Sequence, residues 1–319
     1  MSQNLKSEVA FFSRPEVVMP LPGVYSHWAH KYFLPKTFAV SDARTNVDFY
    51  ASAFLAIDCP SLQMLGIGSG LAQMDINVAR VLHATGRLGH YDCIEVTPAR
   101  VEAANKSIEA AGLSNVMRSR VADAGSWTPD REYNGVIATH VLHHIEPLER
   151  LFDNIKACLA PGGRFATMDM IGRNGHQRWP EVRTVVDAIW RSMPERYKFN
   201  HTLKRWDSQY DDRDYSVKTN EGIRAQDILP LLMERFHFVR FAVDGGIIEP
   251  LLDRAYGLNL SREKPEDLLF VDQIAFLNDT LIDAGLIKPT MMHAVMANEP
   301  QAPRIYRTWT PEFCVRPRP

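Results

Sequence analysis

The sequence predicts an α/β fold: a doubly wound, mostly parallel sheet, preceded by a helical extension and interrupted by an insertion after its fifth strand. Three observations lead there. From Ser61 to about Met170, short β-rich runs alternate with amphipathic segments, which is the sequence form of parallel strands joined by crossover helices. The first run, Leu62–Gly66, leads straight into closely spaced glycines at 66, 68 and 70, as at a strand-to-helix turn that lets a ligand approach the backbone. Sheet-like runs return at His237–Val243 and Met291–Met296, where two closing antiparallel strands account for the order.

Composition narrows the class. Of 319 residues, 45% are hydrophobic and 23% charged, close to the roughly 45–50% and 25% of soluble globular chains, which excludes disorder, collagen and disulfide scaffolds. Lys and Arg number 36 against 38 Asp and Glu, a formal net charge of −2, so there is no global positive field for a polyanion and no nucleic-acid partner is expected. Cysteines at 59, 93, 158 and 314 form no C-x-x-C pair, which argues against a zinc ribbon and a secreted disulfide framework and fits a reducing cytoplasm. No run of about 18 uncharged apolar residues occurs, and the N-terminus lacks a signal-peptide core. A soluble, cytoplasmic protein without a membrane partner is expected.

Residues 1–60 read as a helical extension, with a Pro-containing aromatic stretch and then a helical spacing from Asp42 to Leu55. Residues 61–172 form the α/β core. Its strands are placed at Leu62–Gly66, Tyr91–Glu95, Val116–Val121, Gly135–Thr139 and Arg164–Asp169, and its helices at Gly70–Thr85, Pro98–Ala111 and Pro147–Leu159. The last helix is stopped by Ala160-Pro161-Gly162-Gly163. Residues 173–235 are expected to be a lid or insertion, with a helix over Pro180–Ser192 and an acidic, aromatic segment from Lys204 to Tyr215. Residues 236–300 hold the closing strands around a helix at Pro265–Ala284, and 301–319 read as an exposed, mildly basic tail.

The glycine turn carries the sharpest signal. A tight turn needing positive φ is its structural reading, and close ligand approach its functional one. A dinucleotide fold wants G-x-G-x-x-G, whereas Leu71 holds the third-glycine place, and no Gly-Lys-Ser/Thr follows to make a P-loop. Glu95 ends the second strand, where a carboxylate can accept both hydroxyls of a ribose lying over the turn; a solvated strand-end acid is the alternative. Asp123 ends the third strand and is placed to accept from an adenine amino group. After Tyr133–Thr139 come His140, His143 and His144, at the carboxyl edge where open α/β sheets bind ligands.

Gly66-x-Gly68-x-Gly70, Glu95, Asp123, the His140–Ile145 run and Leu159-Ala-Pro-Gly-Gly-Arg-Phe together resemble the Rossmann-like, S-adenosylmethionine-dependent methyltransferases. The resemblance covers roughly Ser61–Gly172. It implies a seven-stranded sheet ending in an antiparallel hairpin, and S-adenosylmethionine as cofactor with S-adenosylhomocysteine as product. Carried over, the cofactor-binding residues are Gly66, Gly68, Ser69, Gly70, Glu95, Asp123, Ala124 and His140. Asp211–Asn259 is similar, less specifically, to bacterial methyltransferases found with glycan biosynthesis. One departure stands out. The family usually has an acid two residues before its first glycine, to orient the cofactor's amino group, and here Met64 stands there; loss of a charge-assisted hydrogen bond costs about 1.5–3 kcal/mol.

Methyl transfer is an in-line displacement, so holding the nucleophile close to and collinear with the methyl group supplies much of the catalysis. A hydroxyl acceptor must also lose its proton, for which histidine suits neutral pH. His140, His143, Asp169 and His176 are the catalytic candidates, while His144 is expected to cap or pack at the following helix. Asp169 with a neighbour such as Asn174 suggests a metal, but no set of oxygen ligands of the kind magnesium demands is legible, and none is expected. His83, His90 and Cys93 match no zinc spacing. Trp206, Tyr210 and Tyr215 suit either stacking on an acceptor or packing of the lid. The expectation is a methyltransferase acting on a hydroxyl of a small molecule or saccharide, with a homodimer allowed. Transfer to an amine or a protein side chain, or binding without turnover, are the rivals.

Overall fold

The computed structural model describes residues 20–316 continuously, together with Lys6, Val9, Ala10 and Ser13. The other residues of the helical extension before position 20, and 317–319 of the tail, lie outside the described residues.

Ten strands run in chain order: β1 Leu62–Ile67, β2 Leu88–Glu95, β3 Met117–Val121, β4 Tyr133–Thr139, β5 Leu159–Met170, β6 Phe199–Asn200, β7 Arg205–Trp206, β8 His237–Asp244, β9 Met291–Ala297 and β10 Arg304–Ile305. Eight of them form one sheet in the order β10-β8-β9-β5-β4-β1-β2-β3, and β6 pairs with β7 in a separate ribbon. All neighbours in the large sheet are parallel except β9, which runs antiparallel to both β5 and β8. The crossover helices are Gln73–Ala84, Pro98–Ala110 and Leu148–Cys158. Strand order reverses beside β1, between β2 and β4. That is the topological switch point, where such sheets open a crevice at the carboxyl ends of their strands.

The expected seven strands are thus eight. The extra one comes from residues assigned to an exposed tail: Arg304 and Ile305 pair with Arg240 and Phe241 of β8. Trp309 is 0% exposed, and its indole N–H donates to Asp283 at 2.8 Å. A tryptophan that can bury its ring and still satisfy its one donor draws the chain end onto the body. A second difference lies at 160–163, which belong to β5 rather than to a separate turn. Tyr133 pairs with Leu159 and Gly135 with Arg164, so the strand takes up the extra residues as an irregular bulge.

The extension is built from helices at Gly23–Trp28, Leu34–Ala39 and Asn46–Leu55, the first two bridged by π-helical Ala29–Phe33. The last begins four residues after the expected Asp42, because the Thr45 hydroxyl accepts from Asp48 N at 3.0 Å and caps it. Its Phe54 and the Met64 side chain crowd the same point above Gly135 on β4, within 2.6 Å of where a Cβ would stand there. Met64 is 0% exposed. An acid at this place would sit in the apolar layer between helix and sheet, where an unpaired charge is costly.

Candidate active site

A cavity of about 760 Å³ opens at the carboxyl ends of β1, β2, β4 and β5. Its walls bring Gly68, Glu95, Asp123 and Ala124 together with His140, His143, His144, His176 and Glu221. Three elements separated in sequence, the sheet edge, the loop after β5 and the insertion, meet in one space.

At the glycine turn the three glycines do different work. Gly68 lines the cavity with φ +60, and a Cβ there would fall 2.1 Å from a Val141 methyl. Gly66 does not line it. A Cβ at Gly66 would instead meet Asp75 Oδ1 at 2.2 Å and Ser69 Oγ at 2.5 Å, so glycine is needed here for packing beneath the turn. Ser69 and Gly70 are likewise absent from the walls. Gly70 contributes through its backbone, donating its N–H to Glu95 Oε2 at 3.0 Å. The other Glu95 oxygen, Oε1, accepts from Thr97 N at 2.9 Å, so the carboxylate bridges the glycine turn and the segment after β2. Asp123 accepts from Gly125 N at 2.9 Å and so closes its own loop.

Below the turn, Asp75 is 4% exposed and accepts from the Tyr91 hydroxyl at 2.8 Å. Burial pushes its carboxyl up to about 6, against the lowering effect of the Tyr91 and Ser69 hydroxyls.

The opposite part of the cavity is histidine-rich. Asp169, at the end of β5, is 0% exposed. Its Oδ2 accepts from Val141 N at 2.9 Å and Leu142 N at 2.8 Å, and its Oδ1 from His143 Nδ1 at 2.6 Å and Met170 N at 2.8 Å. Burial works against its charge, but His143 and these donors hold the carboxyl at about 2. A carboxylate this saturated does not take a substrate proton. Asp169 does not line the cavity; it positions the 141–143 loop.

His143 lies between two acids, with Nδ1 on Asp169 and Nε2 3.4 Å from Glu221 Oε1. Burial opposes its charge, yet the two carboxylates raise its pKa to about 10. His176 Nε2 bonds Glu221 Oε1 at 2.7 Å, and burial lowers its pKa, with Glu221 offsetting in part. Burial also lowers that of His140, which faces the cavity. His140 and His176 adopt φ +51 and +56, left-handed backbone that costs most side chains about 1–3 kcal/mol and tends to occur where a site fixes the chain.

Two further residues differ from expectation. His144 does not simply cap the next helix: it lines the cavity, with Nε2 3.7 Å from Glu221 Oε2. Glu221 was not singled out from sequence at all. Burial opposes its charge, but hydrogen bonds from His143 and His176 keep its carboxyl far below the usual carboxylate range. The insertion presents it through backbone bonds from Gly175 N to Gly222 O at 2.9 Å and from Ile223 N to His143 O at 3.1 Å. Nothing in Thr219-Asn220-Glu221-Gly222 signals this; only the folded chain places it. Of the aromatic trio, Tyr210 is buried against Trp190 and Tyr256, while Trp206 and Tyr215 are exposed, and none lines the cavity.

Residues 65–165 match a family model described as a methyltransferase domain. This segment is a methyltransferase domain. Curated proteins similar to the chain include a highly reducing polyketide synthase of Emericella nidulans, 29% identical over 118 residues, which covers 35% of the chain and 5% of that protein. Another, from Pyricularia oryzae, is 24% identical over 198 residues, 54% of the chain and 7% of that protein. The chain therefore corresponds to only a small part of the length of these synthases. Among solved structures, the O-methyltransferase of a trans-AT polyketide synthase multienzyme from Brevibacillus brevis is 12% identical with a TM-score of 0.46, covering 84% of this chain and 72% of that one. Geranyl diphosphate C-methyltransferase from Streptomyces coelicolor is 12% identical with a TM-score of 0.44, covering 79% and 76%.

The cavity's donor set, a glycine a side chain cannot replace, an acid ending β2 and an acid after β3, fits S-adenosylmethionine. Among the described residues, no helix is long and apolar enough to cross a membrane.

Proposed function

We propose that the chain transfers a methyl group from S-adenosylmethionine to a hydroxyl of a small molecule, and that the acceptor is of the polyketide kind rather than a saccharide. One observation carries the reading: the His176–Glu221 pair opens on the same cavity as Glu95 and Asp123. That shared cavity supports adjoining cofactor and acceptor subsites, which in-line transfer requires. Bound cofactor supplies an electrophilic sulfonium methyl group. Gly68 would admit it against the turn, Glu95 would accept the ribose hydroxyls, and Asp123 with Ala124 would border the adenine. His176, oriented through Nε2 by Glu221, receives the acceptor's hydroxyl proton on Nδ1. The polyketide choice is supported by the curated relatives, which are named as polyketide synthases, and by the apolar Tyr25, Met170 and Met291 on the same wall. Four unpaired cysteines suit a cytoplasmic setting.

The test offers methyl-labelled S-adenosylmethionine with hydroxyacyl thioesters, simple alcohols, amines and saccharides, using Gly68→Val as control. Ether-linked label in the hydroxyacyl product, absent in the control, is expected. Label in saccharide or amine overturns the acceptor class; cofactor binding without transfer to any acceptor favours binding without turnover. In parallel, Glu95→Ala is expected to weaken cofactor binding by about 1.5–3 kcal/mol by calorimetry.

A further inference from the structure

We infer that His143, His144 and Glu221 form a binding site for a divalent, zinc-type metal ion, with Asp169 and His176 orienting its ligands and one coordination position open to the cavity. The ligand atoms of these three residues all lie within 4.8 Å of one another. Their spacings carry the inference. His143 Nε2 is 3.4 Å from Glu221 Oε1 and His144 Nε2 is 3.7 Å from Glu221 Oε2. Good N–H···O hydrogen bonds span about 2.7–3.2 Å, whereas two ligands bonded at about 2.1 Å to one tetrahedral ion stand roughly 3.4 Å apart. The 3.4 Å His143–Glu221 contact has the spacing of two ligand atoms on one ion, and His144 Nε2 stands 3.7 Å from the other oxygen of the same carboxylate.

The tautomer of His143 points the same way. Asp169 Oδ1 accepts from Nδ1 at 2.6 Å, so in the neutral ring the lone pair is on Nε2, facing Glu221. A cation beside this nitrogen, a proton on the ring or a metal ion in its place, offsets the charge of Glu221. A carboxylate on the far nitrogen of a ligating histidine is the support that metal sites commonly use. His176, on Glu221 Oε1 at 2.7 Å, fixes the carboxylate ligand in the same manner, and Asp169 and Glu221 balance a double positive charge. Two imidazoles and one carboxylate favour zinc and the later transition metals over magnesium or calcium. The open position faces the cavity, where it would take an oxygen of the acceptor. This deepens the hydroxyl-transfer reading in that last respect, while metal binding itself is independent of it.

The test uses the full chain, stripped with chelator, without cofactor or acceptor. Titration with Co²⁺ is expected to give a saturable 1:1 complex with the visible absorption of a low-coordinate site, displaced by Zn²⁺. Asp169→Asn is expected to weaken binding 10- to 100-fold, and His144→Ala and Glu221→Gln by more, with folding checked by circular dichroism and binding of S-adenosylmethionine titrated on each variant. No saturable complex in the wild-type chain, or equal affinity in wild type, His144→Ala and Glu221→Gln, overturns the metal site. If metal fails to bind while the cofactor binds and label is transferred, the metal site falls and the methyl-transfer reading stands; metal binding without cofactor binding gives the reverse.

Discussion

Asp75 shows how one side chain constrains the turn above it. Gly66 has no Cβ because Asp75 and Ser69 occupy its space, and the carboxyl that does so is raised to about 6 by burial. Its folded pKa lies above the unfolded value of about 3.9, so the folded state binds the proton more tightly. The resulting stability is full below about pH 4 and is lost as pH rises toward about 6. Asp75→Asn keeps an acceptor for Tyr91 without the charge. Its stability relative to wild type is expected to be greater at about pH 7.5 than at about pH 4.5, and urea unfolding giving the same difference at both would overturn this. Gly68 is the second such position. Gly68→Ala forces an L-residue to φ +60 and displaces Val141, at a backbone cost of about 1–2 kcal/mol. Lower stability together with weaker cofactor binding is expected by thermal unfolding and calorimetry; unchanged values in both would refute it.

Among elements, the chain end departs furthest from its sequence reading. Arg304, Ile305 and the short helix Pro311–Cys314 have little periodicity to reveal them, since two-residue pairing and one turn of helix leave no repeat to detect. Their anchor is Trp309, fully buried and bonded to Asp283 of the Pro265–Asp283 helix. Trp309→Ala is expected to cost about 3–5 kcal/mol in urea unfolding, and a loss below about 1 kcal/mol, the range of a surface side chain, would restore the view of a loose tail. The helix Pro180–Ser192, by contrast, has the bounds expected from sequence, because Pro at its first position and a strong apolar stripe mark it.

At the scale of the whole molecule, the N-terminal helices are tied to the closing strands by Lys36. Its ammonium lies 2.5 Å from Asp244 at the end of β8 and 2.7 Å from Asp279 of the Pro265–Asp283 helix, with Lys36 3% and Asp244 1% exposed. Removing the cation strands a buried carboxylate, so Lys36→Ala is expected to destabilise the fold by about 3–5 kcal/mol. Guanidinium unfolding with no change in midpoint would show that the extension docks without this tie. Docking matters for the site as well, because Tyr25 of the extension lines the cavity and the helix Asn46–Leu55 covers the layer that holds Met64.

The sequence by itself determined the parallel core, the glycine turn, the acids at Glu95 and Asp123 and the histidine run after β4. These are local: a period of two or of 3.6, a glycine where φ is positive, and a polar residue at the end of an apolar strand are each written within about ten residues. Only the tertiary structure decided which of them face the cavity. It turned Gly66 and Ser69 away from it, made Asp169 a buried positioning group, and brought Glu221 from the insertion, 78 residues after His143, against three histidines. Such contacts follow from how separate elements dock, and side-chain proton states follow from those contacts through burial and neighbouring charge. Neither is carried by any local pattern in the chain.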